Sequence, residues 1–136
     1  MNGLKFDLRI YVVATGFEDG NVHAFIADEG LARFCTEQYE VPTNENFHKF
    51  FMHLTNYSLN KGSENYVSDY SESNIYNPNG ASKRTLTALF KELNLNCKNP
   101  KLIEQIRDSI NHACAGGITM LMSMIQHRAE SAWPQN

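Results

Sequence analysis

Asp7 and Arg9 lie two residues apart in the segment Lys5-Phe6-Asp7-Leu8-Arg9-Ile10-Tyr11-Val12-Val13. Leu8, Ile10 and Val12 alternate with Asp7, Arg9 and Tyr11, the period-two pattern of a half-buried strand, so an acid and a base share one face. A guanidinium grips a carboxylate or a phosphate through two parallel N–H bonds. A second arginine, Arg33, stands in Glu29-Gly30-Leu31-Ala32-Arg33-Phe34, and Thr55-Asn56 stands in His53-Leu54-Thr55-Asn56-Tyr57-Ser58-Leu59-Asn60-Lys61. With Lys5 these are residue types that hold charged oxygens, the electrostatic part of phosphoryl and acyl transfer. Each also has a plain structural reading. Arg9 can pair with Asp7 or Glu29 on a surface. Thr55-Asn56 can form a turn through side-chain-to-backbone bonding. Lys83 and Arg84 can be solvated charges at a helix start, where the dipole slightly disfavours them.

Composition bounds what such residues can serve. The chain has 136 residues, 42% hydrophobic and 20% charged, the balance of a globular protein with one ordinary core. Its formal net charge of −3 gives no global pull toward nucleic acid or an anionic membrane, and neither is expected as a partner. No apolar run approaches the ~20 residues that span a bilayer. Met1-Asn2-Gly3-Leu4 lacks a basic flank and an apolar signal core, so secretion is not expected. Cys35, Cys97 and Cys114 form no Cys-x-x-Cys pair and read as reduced, buried thiols. The histidines, His48 and His53 included, show no metal-ligand spacing.

The positioning elements follow from pattern. Residues 5–15 read as a first strand, 16–21 as a turn and 22–27 as a second strand, a hairpin with a loop of about four to six residues. Leu31–Cys35 fits a third strand or a helical turn. Residues 41–46, with Pro42, read as a polar loop, and 47–54 as an aromatic stretch ending extended. The Ser-, Asn- and Gly-rich stretch 60–82 reads as a long mobile loop, with Tyr66, Tyr70 and Tyr76 as half-exposed packing. Ser82 can cap a helix whose stripe is Leu86, Leu89, Phe90 and Leu93, ended by Asn94-Leu95-Asn96. Asn99 and Pro100 open another, with Leu102, Ile103, Ile106 and Ile110 at helical spacing. Gly116-Gly117 can loosen or break it, at about 1 kcal/mol per glycine. Met120, Leu121, Met124 and Ile125 then resume the stripe, and with Met122 and distant Met52 they read as core filling rather than a cofactor site. No closing strand follows, which leaves open sheet edges and suggests a piece of a larger fold.

Lys-Phe-Asp-Leu-Arg, then Glu-Gly-Leu-x-Arg-Phe, then His-Leu-Thr-Asn-Tyr-Ser, in this order and spacing, closely resembles the tubulin–tyrosine ligase-like family. The resemblance covers about residues 3–128. It implies an α+β, ATP-grasp-like fold, present here in part as antiparallel strands plus C-terminal helices and cut before the metal-binding strands. It implies a partial catalytic domain over 1–136 with a mobile loop at about 60–82. The implied reaction is the ATP-dependent addition of glutamate to glutamate side chains of tubulin tails. Another amino-acid ligase of the family, for glycine or tyrosine, and a non-catalytic tubulin-binding module are the alternatives. The implied setting is the cytoplasm and cytoskeleton, with cilium or basal body as a narrower option.

Roles carry over residue by residue. The resemblance implies ATP contacts from Lys5, Phe6, Asp7, Thr55 and Asn56, and places Arg9 toward the acyl-phosphate end as the catalytic cation. Arg33 matches the arginine that holds the incoming amino acid, with Tyr57 and Ser58 beside that pocket. Gly80-Ala81-Ser82-Lys83-Arg84 is similar to the Gly-Ser-Lys-Arg of the polyglutamylase branch, which adds Lys83 and Arg84 to amino-acid binding. Thr85 stands where some members carry a further cation. No Glu-x-Asn of the metal-binding kind follows the last helix pattern, so the ligands for Mg2+ are expected outside this chain, and the chain alone is expected to be inactive.

Overall fold

The computed structural model describes residues 3–18, 21–69, 80–96 and 99–132. They form two compact units, one built from 1–10 and 29–96, the other from 11–28 and 97–136.

The first unit is a three-stranded antiparallel sheet ordered β1-β4-β5, where β1 is Leu4–Arg9, β4 is Leu31–Gln38 and β5 is Lys83–Thr85. Leu31 onward is therefore a strand, and it is the central one. Its neighbours on both sides explain why Ala32, Phe34, Cys35 and Thr36 are all buried. Phe6 faces Phe34 and Leu8 faces Ala32 across β1 and β4, so the even positions share one face. Phe6 and Phe34 stack with ring centroids 5.2 Å apart. Helix α3 (Leu86–Asn96) covers this side with Leu89, and Leu4, Leu8 and Leu93 close the cluster. The predicted helical stripe is thus the buried one.

The start of α3 differs from expectation. Ser82 does not cap it, because 83–85 are strand; Ser82 Oγ accepts the Val67 N–H instead at 3.0 Å. Thr85 Oγ1 takes the capping role, accepting the Ala88 N–H at 3.2 Å. Glu29 Oε1 accepts the N–H groups of Gly30 (3.0 Å) and Thr87 (3.2 Å). Gly30 is tightly enclosed. A Cβ there would sit 2.5 Å from the Arg9 carbonyl and 2.9 Å from Leu86 Cδ1. Short helices α1 (Phe50–His53) and α2 (Tyr57–Asn60) flank an extended stretch at 54–56.

Beyond Asn60, which ends α2, the described part of the stretch expected to be a loop, 61–69 and 80–82, is turn and irregular chain. Residues 61–69 are a chain of turns, with Tyr66 N–H on Ser63 O, and Ser82 N–H returns a bond to Val67 O at 2.9 Å. Residues 70–79, including Tyr70 and Tyr76, lie outside the described residues.

The second unit is a hairpin of β2 (Val12–Glu18) and β3 (Asn21–Ile26) with helix α4 (Leu102–Ala132). The single strand predicted over 5–15 is therefore two strands: Ile10 and Tyr11 leave the ladder, β1 pairs with β4, and β2 pairs with β3. Alternation reports which face a residue takes and carries no information about its partner strand. Asn99 caps the helical start, its Oδ1 accepting the Lys101 N–H at 3.0 Å. Helix α4 runs 31 residues straight through Gly116-Gly117. Glycine costs propensity but removes no helical hydrogen bond, so the helix persists. The methionine stripe is not core: Met120, Leu121, Met124 and Ile125 are each more than half exposed, whereas Met52 is buried in the first unit. Cys114 is half-buried, in a shallow cleft lined by Val12, Val22, Ala24 and Ile26 of the hairpin and Asn111, Ala115 and Ile118 of α4.

Candidate functional site

The face of the sheet opposite Phe34 carries the charge. Register places Asp7 opposite Arg33 and Arg33 opposite Lys83, so an acid and two bases form a row across three strands. Arg33 grips Asp7 with both arms of its fork, Nε donating to Oδ1 at 3.0 Å and Nη2 donating to Oδ2. Asp7 is thus paired with Arg33, while Glu29 is taken by the N–H groups of Gly30 and Thr87.

Lys83 extends the row. Its ammonium pairs with Asp69 Oδ2 at 3.3 Å and lies 5.0 Å from the Tyr57 ring centre. Lys61 approaches the same ring at 5.8 Å, and Tyr66 meets it edge-on at 6.0 Å. Burial alone would lower the Lys83 pKa, but the Asp69 bond and charge outweigh it and hold the pKa above the ordinary lysine value. Burial pushes the Tyr66 phenol up, with the Tyr57 and Asp69 charges adding to it. The thiol of Cys35, on the central strand, is likewise pushed up by burial, against the pull of Lys5.

Arg84 is not brought to this row. One position along β5 from Lys83, it turns to the core face. There its guanidinium lies 4.1 Å from the Phe34 ring centre, donates to the Ala81 carbonyl at 2.9 Å and pairs with Glu92 of α3. It is 5% exposed, so the expectation of a solvated charge at a helix start does not hold. Phe6 also turns to the core face, against Phe34. Arg9 is exposed, opposite Leu31 and on the side of the strand that carries Asp7.

The Lys5 ammonium donates to the His53 carbonyl at 2.7 Å, which ties β1 to the segment carrying Thr55 and Asn56. Thr55 is buried, and Asn56 and Ser58 are exposed. Asn56 makes no side-chain cap; its backbone carbonyl receives the N–H groups of Leu59 and Asn60. Asn60 is the residue that fixes this stretch. It is almost wholly buried, its Nδ2 donates to Leu54 O (2.6 Å) and Asn56 O (3.1 Å), and its Oδ1 accepts from Thr36 Oγ1 (3.1 Å).

Asn60, Asp69 and Glu92 are not singled out by the sequence, and Tyr66, read there as half-exposed packing, is half-buried against Tyr57. Asp69 and Tyr66 lie in a stretch with no periodicity, and the Val67–Ser82 pairing brings them to β5. No group of three His, Cys, Asp or Glu side chains among the described residues is arranged to hold a metal ion. No helix among them is long and apolar enough to cross a membrane.

The antiparallel α+β frame thus displays cations paired with carboxylates in one row. Residues 1–132 match the Tubulin-tyrosine ligase family, and the chain belongs to that family. It is 37% identical over 140 residues to "Tubulin polyglutamylase ttll6" of Danio rerio, covering the whole chain and 16% of that protein. It is 34% identical to "Tubulin polyglutamylase TTLL6" of Homo sapiens over 136 residues, the whole chain and 14% of that protein. "Tubulin polyglutamylase TTLL11" of Homo sapiens is 44% identical over 90 residues, 66% of the chain and 12% of that protein. The chain thus spans about a sixth or less of the length of these relatives.

Proposed function

We propose that this chain is a segment of an ATP-dependent ligase that adds glutamate to glutamate side chains of tubulin C-terminal tails. The observation that carries this reading is the Asp7–Arg33–Lys83 row on one face of the sheet, in a chain whose relatives are named tubulin polyglutamylases. Arg33 and Lys83 are the cations for the carboxylates of the incoming amino acid, with Tyr57 and Ser58 at the pocket's edge. Lys5, Thr55 and Asn56 form the nucleotide side, Asp7 joins the two sides through Arg33, and Arg9 faces the acyl-phosphate end. Arg84 and Phe6 hold the frame from the core face. The larger domain has an ATP-grasp fold, with 1–136 as one part of it.

ATP supplies the phosphoryl group that activates the tubulin carboxylate. The described residues bring together no group of three His, Cys, Asp or Glu side chains for magnesium. The test uses the complete protein with ATP, magnesium, microtubules and labelled glutamate, glycine or tyrosine in turn. Glutamate incorporation that depends on ATP is expected, with little glycine or tyrosine. The isolated 136-residue chain is expected to give none. Turnover by the isolated chain refutes the segment reading, and preference for another amino acid refutes glutamate as donor.

A further inference from the structure

The long, flexible Lys83 side chain needs a restraint if its ammonium is to serve beside Arg33. The structure supplies one from outside the sheet. Asp69 is 9% exposed and pairs with Lys83 Nζ at 3.3 Å, while the Tyr57 ring lies 5.0 Å from the same nitrogen. Asp69 is itself anchored two residues from Val67. Val67 N–H donates to Ser82 Oγ at 3.0 Å, and Ser82 N–H donates to Val67 O at 2.9 Å, next to Lys83. Carboxylate and ammonium are therefore tied to the same pair of hydrogen bonds, one between backbone groups and one to the Ser82 hydroxyl.

We propose that Asp69 is a positioning residue that holds the Lys83 ammonium in line with Arg33, and so sets the preference for an amino acid that carries a second carboxylate. The proposal rests on the functional reading above. Two fixed cations side by side suit a dicarboxylic amino acid, whereas glycine has no group for the second one. Without Asp69 the Lys83 ammonium swings toward solvent, and Arg33 alone grips any amino acid carboxylate.

Two measurements test this. In the chain itself, the Lys83 ε-CH2 resonance should be shifted upfield by the Tyr57 ring, and Tyr57→Leu identifies that shift. Asp69→Asn should remove most of it and Asp69→Glu should keep it. A Lys83 shift indifferent to Asp69→Asn, or one that Asp69→Glu does not keep, overturns the proposal. In the complete protein, Asp69→Asn should raise KM for glutamate about tenfold, leave KM for ATP within about twofold, and narrow the margin over glycine. Asp69→Glu should recover most of the loss. Unchanged glutamate kinetics, or equal damage to ATP and glutamate, overturns the specificity role. Absence of glutamate turnover in the wild type refutes the functional reading, and the resonance measurement still decides whether Asp69 places Lys83.

Discussion

Arg33 and Asp7 were assigned from the sequence to different substrates, yet they are bonded to each other. Arg33→Ala removes the planar fork from the proposed amino-acid side and takes away the bidentate partner of Asp7. A charge-assisted bond contributes about 1.5–3 kcal/mol, so kcat/KM for glutamate should fall at least tenfold. Nucleotide affinity should fall less, through Asp7. Arg33→Lys should rescue only in part, since an ammonium cannot reproduce the fork. Glutamate kinetics, nucleotide affinity and Tm on one preparation check this; a variant with normal glutamate kinetics removes Arg33 from the site. Lys83 and Tyr66 contribute to stability in a way that alkaline pH removes, because both have pKa values raised on folding. Their contribution is complete below the ordinary values of about 10 and disappears as pH rises through the folded ones. Urea midpoints should fall above about pH 10, and less steeply in Tyr66→Phe; identical profiles refute the assignment. The arginine and its strand could be read from the sequence because the motif is local. Asp69 could not, because 14 positions separate it from Lys83 and no pattern joins them.

β5 and α3 meet without a loop, and this is where local patterning misled. Ser82 has the chemistry of a cap and precedes an apolar stripe, but three strand residues intervene and the cap passes to Thr85. Thr85→Ala should cost about 1 kcal/mol, the usual value of a lost N-cap, measured by urea unfolding. Glu29 adds a pH-dependent support at the same helix end. Burial works to raise its pKa, but the N–H groups of Gly30, Thr87 and Leu86 outweigh that and lower it. A lowered pKa contributes above the unfolded carboxylate value of about 4.3 and is lost as pH falls. Glu29→Gln should therefore be less stable than wild type at pH 7 and converge with it below about pH 4. A constant difference across that range contradicts the assignment. The stripe of α3 was readable because helical period and burial agree; the uninterrupted course of α4 was not, because two glycines weigh on propensity without breaking any bond.

The two units differ in how deeply they bury side chains. The first holds Ala32, Phe34, Cys35, Leu89 and Asn60 out of solvent, whereas every described side chain of the second keeps at least part of its surface exposed. Local opening costs least where buried contacts are few. Amide exchange should be slowest in β4 and faster in β2, β3 and α4; slower exchange in α4 than in β4 contradicts the reading. Membership of the family was evident from three short motifs, whereas the division into units was not. The first of its three boundaries falls inside an apolar run, at Ile10 and Tyr11, where composition does not change.

The units are also interleaved along the chain, and that bears on synthesis. Residues 11–28 leave the ribosome long before 97–136, with all of 29–96 in between. A hairpin closes within microseconds, but translation proceeds at about 5–20 residues per second. Val12, Val22, Ala24 and Ile26 therefore wait for seconds before α4 exists to line the other wall of their cleft. During that interval the nascent hairpin is an open, sticky edge, and a chain interrupted at Asn96 keeps it so, which makes such a truncation a substrate for chaperones or aggregates.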